Sequence, residues 1–306
     1  MTKQASRWLV TGVGGMLGRE LAALLATSGE PVTGVARADL DVTDASAVRA
    51  ALLRHRPEVV VNCAAWTNFD DAELNEPAAF LVNATAVRQL ALGCAEVNAQ
   101  LVHVSSDYVF DGLGYRPYAE DAPCFPRSAY GRTKLAGERA ALTLLPGSAY
   151  VVRTAWLYAR HGPSFVRTMI RLANGTEPVD VVDDQCGQPT YAQDAAGQII
   201  ALIGSAAPPG IYHATSSGEV TRYGLAQEIF RLIGADVTRV RSTTSARFAG
   251  AGERPAYSVL GHDAWARAGL PEIGHWSTTL RRVFPAMLAA ERAGHDGLTS
   301  HVRARG

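Results

Sequence analysis

The chain has 306 residues, of which 47% are hydrophobic and 19% charged, and its 29 basic and 29 acidic residues give a formal net charge of zero. This length suits one large domain, or one domain with a smaller lobe, and allows a substantial core. The balanced charge offers no general attraction to nucleic acid or to an anionic membrane surface. We find no apolar run of the roughly 20 residues that a bilayer span requires, and no signal-peptide profile at the amino terminus.

Cysteine usage indicates a reducing compartment. The four cysteines are scattered along the chain, without a Cys-x-x-Cys pair or another spacing typical of a metal site. Because cytosolic thiols are kept reduced, we interpret Cys63, Cys94, Cys124 and Cys186 as free thiols of a cytoplasmic protein, and we predict no metal ligands.

The first apolar run ends in a glycine-rich turn. Residues 8–11 predict a strand, and the glycines at 12, 15 and 18 lead from it into an amphipathic helix. Small residues let the backbone turn tightly and let a pyrophosphate approach the helix N-terminus, where free amides favour anions. A glycine turn alone is weak evidence, but its place between a strand and a helix strengthens it. The cofactor-binding residues predicted here are Gly12, Gly15, Met16, Leu17 and Gly18.

The second predicted strand, 31–36, ends at Arg37, about 20 residues after the glycines. At this position dinucleotide-binding folds read the adenosine ribose: an acid suits a free 2′-hydroxyl, and a base suits a 2′-phosphate. Arg37 therefore favours NADPH as the cofactor. Asp39 lies two positions further on and keeps NADH as the alternative.

A third predicted strand, 58–62, runs into the small residues Ala64 and Ala65, with Thr67 after them. Small residues after a buried strand allow a ligand to approach the backbone, so these three are predicted to line the cofactor site. The acids that follow, with Asp70 among them, either form a solvated turn or belong to the site. Asn83, in the next helix, is either an exposed amide or a structural link to the catalytic strand that comes next.

The most informative stretch runs from residue 101 to 134. A short apolar strand ends at Ser105-Ser106-Asp107-Tyr108, and a helical pattern begins at Tyr130 after a polar excursion. Tyr130 and Lys134 are four residues apart, so they share one face of that helix. Ser106, Tyr130 and Lys134 are thus predicted to surround one pocket, an arrangement that resembles the short-chain dehydrogenase/reductase superfamily.

The alternation of strands and helices predicts the fold. The strands carry nearly continuous apolar runs, as a parallel sheet covered on both faces requires, and the motifs fall at their carboxyl ends. We predict an α/β fold: a Rossmann-type doubly wound parallel sheet with a smaller C-terminal α/β substrate lobe. The NAD(P)-binding domain is predicted over 1–160, with later segments returning to it, the lobe over 161–294, and a polar tail over 295–306.

Together these segments resemble the dTDP-4-dehydrorhamnose reductase family of extended short-chain reductases, over nearly the whole chain. Beyond the glycine turn, the motifs that carry the resemblance are Asn62-x-Ala64-Ala65-x-Thr67-x-x-Asp70, Val104-Ser105-Ser106-Asp107-Tyr108, Tyr130-Gly131-x-Thr133-Lys134, Arg153-Thr154-x-Trp156, Asp184-Gln185-x-Gly187-x-Pro189-Thr190 and Arg254-Pro255. The resemblance implies reduction of the C4 ketone of a dTDP-linked 4-keto-6-deoxy sugar by NAD(P)H, with dTDP-4-dehydro-L-rhamnose as the first candidate.

The resemblance also implies catalytic roles. Tyr130 delivers a proton to the ketone oxygen, which needs a phenol pKa well below its reference of about 10, and the Lys134 ammonium favours the phenolate. Lys134 also hydrogen-bonds the nicotinamide ribose, while Ser106 hydrogen-bonds the ketone oxygen. Asp41 and Val42 lie beside the adenine. The implied substrate-binding residues are Asp70, Ser106, Tyr108, Trp156, Gln185 and Arg254.

Two of these substrate contacts have a direct chemical interpretation. Arg254 suits a diphosphate, because a guanidinium holds such a group through paired hydrogen bonds. Trp156 either stacks on the nucleobase or packs in the interior.

Departures from the family pattern leave the sugar and the assembly open. Phe69 replaces a smaller aliphatic residue beside the sugar, so a related keto sugar, such as the dihydrostreptose precursor, is retained as an alternative. Ser106 stands where the family often has Thr and keeps the hydroxyl. Glu20 matches a glutamate through which some relatives hold Mg²⁺ between subunits, whereas Gln193 replaces another. We predict a monomer or homodimer without a bridging metal.

Two other function classes remain. The family resembles the regulatory subunit of methionine adenosyltransferase, a non-enzymatic NADP-binding role, against which the intact Ser106, Tyr130 and Lys134 set argues. A 4,6-dehydratase or epimerase on the same scaffold is the second. Dehydratases place an Asp-Glu acid–base pair after the strand hydroxyl, but here Asp107 is followed by Tyr108.

Overall fold

The computed structural model describes residues 6–205, 207–248 and 252–303. In chain order the strands are β1 (Trp8–Thr11), β2 (Val32–Val35), β3 (Val59–Asn62), β4 (Gln100–Ser106), β5 (Ala149–Thr154), β6 (Leu157–Tyr158), β7 (Val179–Val182), β8 (Cys186–Gly187), β9 (Thr190–Tyr191), β10 (Gly210–His213), β11 (Ser216–Ser217), β12 (Val220–Thr221), β13 (Val240–Thr243) and β14 (Ile273–His275).

The helices alternate with these strands along most of the chain. They are α1 (Met16–Thr27), α2 (Ala45–His55), α3 (Phe69–Leu74), α4 (Glu76–Phe80), α5 (Ala86–Val97), α6 (Ala129–Leu144), α7 (Phe165–Ala173), α8 (Ala192–Gly204), α9 (Arg222–Ile233), α10 (Asp263–Arg267) and α11 (Trp276–Arg303). The predicted polar tail begins inside α11, and residues 304–306 lie outside the described residues.

A six-stranded parallel sheet, in the order β10-β5-β4-β3-β1-β2, organises the first half of the chain. The chain leaves β1 toward β2 on one side and toward β3 on the other. Such a reversal opens a crevice at the carboxyl ends of the strands, where ligands bind in open α/β sheets. The parallel sheet predicted from the sequence is confirmed, and β10 shows that a later segment returns to it.

Alternate residues of the sheet face two separate cores. Val10, Val61 and Val102 are fully buried on the face that α1 and α8 cover. Leu9 and Val60 are fully buried on the opposite face, against α2 and α5. Because both faces are covered by helices, the sheet is doubly wound and its strands are apolar throughout.

A smaller lobe has a core of its own. Helices α7, α9 and α11 pack around Ile170, Phe230 and Leu280, all fully buried. Within this lobe β7 pairs with β13 in parallel register, while β8 pairs with β12 in antiparallel register. Loops from this lobe reach the carboxyl edge of the large sheet, where both cavities described below are found.

One helical run, Glu76–Val97, combines α4, a π-helical turn at Leu81–Thr85 and α5. The prediction that no run is long and apolar enough to span a bilayer is wrong by length and composition, because this run, alone within the part of the chain that the structure describes, meets both criteria. Half of it is buried within the fold, where it packs against α2 and α6. That burial is typical of the core helix of a folded domain.

Candidate active site

The glycine turn between β1 and α1 presents bare backbone. Gly12 has a φ of 71°, and a Cβ there would lie 2.6 Å from the backbone nitrogen of Ala64. A Cβ on Gly18 would lie 2.5 Å from the Gly12 carbonyl oxygen, so both positions require glycine. The N-terminus of α1 has no side-chain cap. Its free amides and dipole therefore fit the pyrophosphate of a dinucleotide.

A cavity of about 530 Å³, the cofactor cavity, extends from this turn to the ends of β4 and α6. It brings many of the predicted residues together: Gly15, Met16, Leu17, Gly18, Ala65, Thr67, Ser106, Tyr108, Tyr130, Lys134 and Trp156. Gly12 and Ala64 lie just behind its wall, packed against each other.

Three predicted cofactor residues, Arg37, Asp41 and Val42, follow β2 and do not line the cofactor cavity. Val42 is buried, and Asp41 accepts hydrogen bonds from the backbone and hydroxyl of Thr43 at 2.9 and 2.7 Å. Asp39 accepts a hydrogen bond from the Ala36 backbone at 2.9 Å, so its carboxylate is engaged within its own loop. The Arg37 side chain is exposed at the same edge and can meet an anion.

Asn83 connects the loop after β3 to the helix that bears Tyr130 and Lys134. Asn83 is fully buried, and its Oδ1 accepts from the Trp66 backbone at 2.8 Å. Its Nδ2 donates to the Trp66 carbonyl at 3.2 Å and to Thr133 Oγ1 at 3.1 Å. The exposed-amide interpretation is wrong, because Asn83 lies within the π-helical turn and points into the protein. The link leads to α6 rather than to β4.

Ser106, Tyr130 and Lys134 line the same wall of the cofactor cavity. Ser106 ends β4, and the other two lie in the first two turns of α6. A Cβ on Gly131 would lie 2.1 Å from the Tyr108 carbonyl oxygen, so α6 packs directly against the segment that follows β4. This packing brings the strand-end hydroxyl to the helical pair.

The Lys134 ammonium is held by β4. Its Nζ donates to the Val104 carbonyl at 2.6 Å and lies 3.4 Å from Nε2 of the buried His103. Burial lowers the pKa of Lys134 to about 8, with the Glu138 carboxylate acting in the opposite direction. Burial and the Lys134 charge hold the pKa of His103 well below its usual value, so the imidazole is neutral.

The Tyr130 phenol keeps its proton. Burial raises its pKa above the ordinary value, and the hydrogen bond with the Ser106 hydroxyl offsets only part of that effect. The Lys134 ammonium donates to the Val104 carbonyl, and the lowering of the Tyr130 pKa by Lys134 that the resemblance implies stays a prediction. At neutral pH Tyr130 is therefore protonated, as a proton donor must be.

An aromatic row borders the catalytic wall. The rings of Phe69 and Tyr108 meet edge to face at 5.2 Å between centroids, and those of Tyr108 and Tyr130 at 5.6 Å. Burial raises the pKa of Tyr108 to about 12, so its hydroxyl is also neutral. Phe69 lines the cofactor cavity and also packs on Tyr108, which stands between Phe69 and Tyr130.

A second cavity of about 1080 Å³, the lobe cavity, lies between the sheet edge and the smaller lobe. Four of the predicted substrate residues line it: Asp70, Trp156, Gln185 and Arg254. Its apolar lining comes from Leu157, Tyr158, Phe165, Val166, Val182, Leu225 and Phe248. The two cavities share Trp156, Leu157 and Arg222. The two cavities therefore adjoin at these three residues.

Trp156 packs against protein groups. Its φ of 45° is unusual for a residue with a side chain. The guanidinium carbon of Arg222 lies 3.4 Å from the centroid of its ring. A Cβ on Gly187 would lie 2.6 Å from the indole. These contacts favour the packing interpretation over stacking on a base.

Arg254 is already paired. Its Nη2 donates to Asp70 Oδ2 at 2.8 Å, and its guanidinium carbon lies 4.8 Å from the centroid of the Phe69 ring. The predicted substrate residues Asp70 and Arg254 are therefore in contact with each other.

Sequence reasoning missed three residues of the site. Arg222 opens α9 and carries no motif. Asp107 enters only as part of a motif, yet its Oδ1 accepts from the Ser106 hydroxyl at 2.9 Å, and burial raises its pKa to about 6. His103 is fully buried beside Lys134. In the sequence, a histidine inside an apolar strand was the one indication of the contact between His103 and Lys134.

The described residues contain no group of three or more His, Cys, Asp or Glu side chains placed to hold a metal ion. Glu20, buried in α1, has Oε1 3.5 Å from Nδ1 of His161. Cys63, Cys94, Cys124 and Cys186 are free. The absence of a metal remains a prediction.

Comparison with known proteins finds one matching family model and relatives described as reductases of dTDP-linked keto sugars. A family model described as the RmlD substrate binding domain matches residues 6–289. The chain is 56% identical over 285 residues to a dTDP-4-keto-6-deoxy-D-glucose reductase of Streptomyces niveus, covering 93% of this chain and 99% of that protein. It is 53% identical over 292 residues to a dTDP-4-dehydrorhamnose reductase of Streptomyces griseus, covering 94% and 95%.

Solved structures agree in fold. A dTDP-4-dehydrorhamnose reductase from Bacillus anthracis, in complex with NADP, superimposes with a TM-score of 0.88 at 34% identity, covering 92% of this chain and 99% of the other. A reductase of the same description from Clostridium acetobutylicum also gives a TM-score of 0.88, at 38% identity, covering 91% and 98%. The Rossmann-type fold predicted from the sequence is confirmed.

Proposed function

The chain belongs to the RmlD substrate binding domain family, that of the dTDP-4-dehydrorhamnose reductases, and from this we infer that it is an NADPH-dependent reductase of a dTDP-linked 4-keto-6-deoxy sugar. One observation carries the inference beyond membership. The bare glycine turn and the Ser106, Tyr130 and Lys134 wall share one cavity, and a second cavity of about 1080 Å³ adjoins it at Trp156, Leu157 and Arg222.

The protein's own groups supply the acid chemistry. When bound, NADPH supplies the hydride that reduces the ketone carbon. As negative charge develops on the ketone oxygen, Tyr130 donates its phenolic proton, and the product is a secondary alcohol. The Ser106 hydroxyl, which donates to Asp107 Oδ1 without substrate, would turn its proton to the same ketone oxygen and hold that oxygen within reach of Tyr130. The Lys134 ammonium lies on the same wall and stabilises the phenolate that remains.

The cofactor site fits NADPH. The uncapped N-terminus of α1 and the turn of Gly12, Gly15 and Gly18 would hold the pyrophosphate. Arg37, exposed at the end of β2, would meet the 2′-phosphate, whereas the Asp39 carboxylate is engaged by its own loop. Ala65 and Thr67 line the cavity between these two ends.

The first candidate substrate is dTDP-4-dehydro-L-rhamnose, which gives dTDP-L-rhamnose. A different dTDP-4-keto sugar, such as a dihydrostreptose-type precursor, is the second candidate. Phe69 supports the second one, because its large ring lines the cofactor cavity where the family pattern has a smaller aliphatic residue. Related proteins of 56% and 53% identity are described as acting on different 4-keto sugars, so the sugar varies among close relatives.

The assay that tests this function follows NADPH oxidation with purified protein and dTDP-4-keto-6-deoxyglucose, with and without a 3,5-epimerase. We expect NADPH consumption and one 6-deoxyhexose product, whose identification assigns the sugar. If epimerase is required, the L-rhamno substrate is supported. If no dTDP-4-keto sugar causes oxidation while NADPH still binds, the non-catalytic regulatory role replaces this function.

We also propose that the protein works in the cytoplasm as a monomer or homodimer, with the nucleotide sugar as its partner. Four free cysteines support the compartment. The zero net charge supports the absence of a nucleic-acid partner. The division into a cofactor domain over about 1–160 and a substrate lobe over 161–294 is part of the same proposal, with β10 and α8 belonging to the first.

A further inference from the structure

Arg222 stands where the two cavities join. It is the first residue of α9, and its backbone nitrogen donates to the Gln185 carbonyl at 3.1 Å. Its side chain lines both the cofactor cavity and the lobe cavity, together with Trp156 and Leu157. Among the described residues, Arg222 is the one charged side chain that the two cavities share.

The Arg222 guanidinium is held by rings rather than by a carboxylate. Its central carbon lies 3.4 Å from the centroid of the Trp156 ring and 5.0 Å from that of Phe165. In the described part of the chain, no salt bridge within 4.0 Å is formed by Arg222, although it stands near the buried Asp107. Stacking fixes the plane of the guanidinium while leaving its N–H donors at the edge.

A buried arginine with no carboxylate in an ion pair is a suitable binding group for an anionic ligand. Burial lowers the pKa of Arg222 to about 10, and the group is still charged at neutral pH. A buried charge without an ion-pair partner within 4.0 Å is costly to the fold, and a bound anion with paired acceptor oxygens removes that cost. The site is therefore prepared for an anionic ligand rather than for internal stabilisation.

The shape of a nucleotide sugar places its anion at this junction. Its keto sugar must reach Ser106 and Tyr130 in the cofactor cavity, and its nucleoside needs the apolar lobe cavity. The diphosphate connects these two parts. Resting on the proposed function, we propose that Arg222 binds the diphosphate of the substrate and thereby selects nucleoside-diphosphate sugars over free sugars and sugar monophosphates.

This assignment differs from the role predicted for Arg254. The Arg254 guanidinium is committed to Asp70 at 2.8 Å, and it lines the lobe cavity without reaching the cofactor cavity. Asp70 would also repel a diphosphate placed on the same guanidinium. Arg254 is thus a secondary contact, and Arg222 carries the main charge.

Titration calorimetry with dTDP, dTMP and thymidine tests the proposal on the full-length wild type, Arg222→Gln and Arg222→Lys. We expect Arg222→Gln to weaken dTDP binding roughly 10- to 100-fold, dTMP less, and thymidine within about threefold of wild type. Arg222→Lys keeps the charge but loses the paired donors, so its dTDP affinity should lie between the two. Arg231→Gln, an exposed position on the same helix, is the matched control.

The pattern across the three ligands separates the possible explanations. If Arg222 only holds Trp156 in place, Arg222→Gln will weaken all three ligands equally, and the assignment fails. Unchanged dTDP binding in Arg222→Gln, with NADPH binding and thermal unfolding like wild type, also overturns it. If wild-type protein binds NADPH but not dTDP, the proposed substrate class is wrong, and the diphosphate role is lost with it.

Discussion

At the scale of single residues, Tyr130 and Lys134 respond to the same buried wall in opposite senses. Burial raises the pKa of the phenol and lowers that of the ammonium to about 8. Each shift favours the neutral form of its group. The result is a donor that retains its proton and a cation that loses its charge only slightly above neutral pH.

Lys134→Met should abolish most turnover yet stabilise the protein. At pH 7 the wild-type fold must keep a buried ammonium, which the variant lacks, so we expect a gain of about 1 to 2 kcal/mol in the free energy of unfolding. The lost hydrogen bond to the Val104 carbonyl reduces this gain. Urea denaturation of both proteins measures it.

The pH dependence of that gain has a definite sign. The folded-state pKa of Lys134 lies below its unfolded value of 10.5. Its destabilising effect is therefore full below about pH 8 and disappears between pH 8 and 10.5, as the lysine becomes neutral in both states. The two proteins should converge over that window. A gain that stays constant up to pH 10.5 would show that Lys134 is not a buried cation.

The sequence could predict which residues meet at the site but not their protonation states. Ser106, Tyr130 and Lys134 stand in a recognisable order, and helical spacing puts two of them on one face. Their pKa values depend on burial and on the Val104 carbonyl, which only the folded chain supplies. Arg222 could not be predicted, because its role arises from two cavities that meet in space.

At the scale of elements, the π-helical turn at Leu81–Thr85 positions the catalytic helix. It turns Asn83 inward, where one amide bridges the loop after β3 and α6. A Cβ on Gly137 would lie 2.1 Å from the Asn83 carbonyl oxygen, so the turn and α6 are packed backbone to backbone. Such turns often mark functional sites.

Asn83→Ala should therefore cost both stability and activity. Removal of the amide leaves the Trp66 backbone groups without their partner, and we expect a loss of about 2 to 4 kcal/mol in the free energy of unfolding. The same change frees the loop that carries Thr67, so KM for NADPH should rise. Arg88→Ala, an exposed position on the same helical run, should change stability by less than about 0.5 kcal/mol. Equal stability of the two variants would contradict the proposal that Asn83 bridges the loop after β3 and α6.

Elements with a clear apolar run or helical spacing were predictable, and two-residue strands were not. The apolar run of β3 and the helical spacing of Tyr130 and Lys134 are visible in the sequence, and the structure has both. Two-residue strands such as β8 and β12 are defined only by their pairing, Gly187 with Val220 and Cys186 with Thr221. They are too short to show a periodic pattern in the sequence. The π-helical turn likewise has no compositional mark.

At the scale of the whole molecule, the two halves of the chain share one core. Ile199, Leu202, Tyr212 and Trp265, from the second half, pack in the same cluster as Val10 of β1. The strand β10 completes the edge of the sheet beside β5. The large sheet and its core are therefore discontinuous in sequence.

A fragment of residues 1–160 should not fold on its own. It lacks β10, the edge strand beside β5, and α8, which covers one face of the sheet together with α1, and so it exposes a large part of that core. We expect no cooperative thermal transition by circular dichroism. A chain of residues 1–293 keeps both cores of the sheet and the core of the smaller lobe. It is the control and should unfold cooperatively. If the short fragment unfolds cooperatively and binds NADPH, the shared core is not needed for the cofactor domain.

The central claim is that the buried Tyr130 phenol protonates the ketone oxygen, and Tyr130→Phe tests it most directly. The measurement is the rate of NADPH oxidation with a dTDP-4-keto-6-deoxy sugar, together with NADPH affinity by fluorescence titration. We predict that the rate falls at least about 100-fold while NADPH affinity stays within about threefold of wild type. A near-normal rate in this variant, with the same sugar product, would contradict the account.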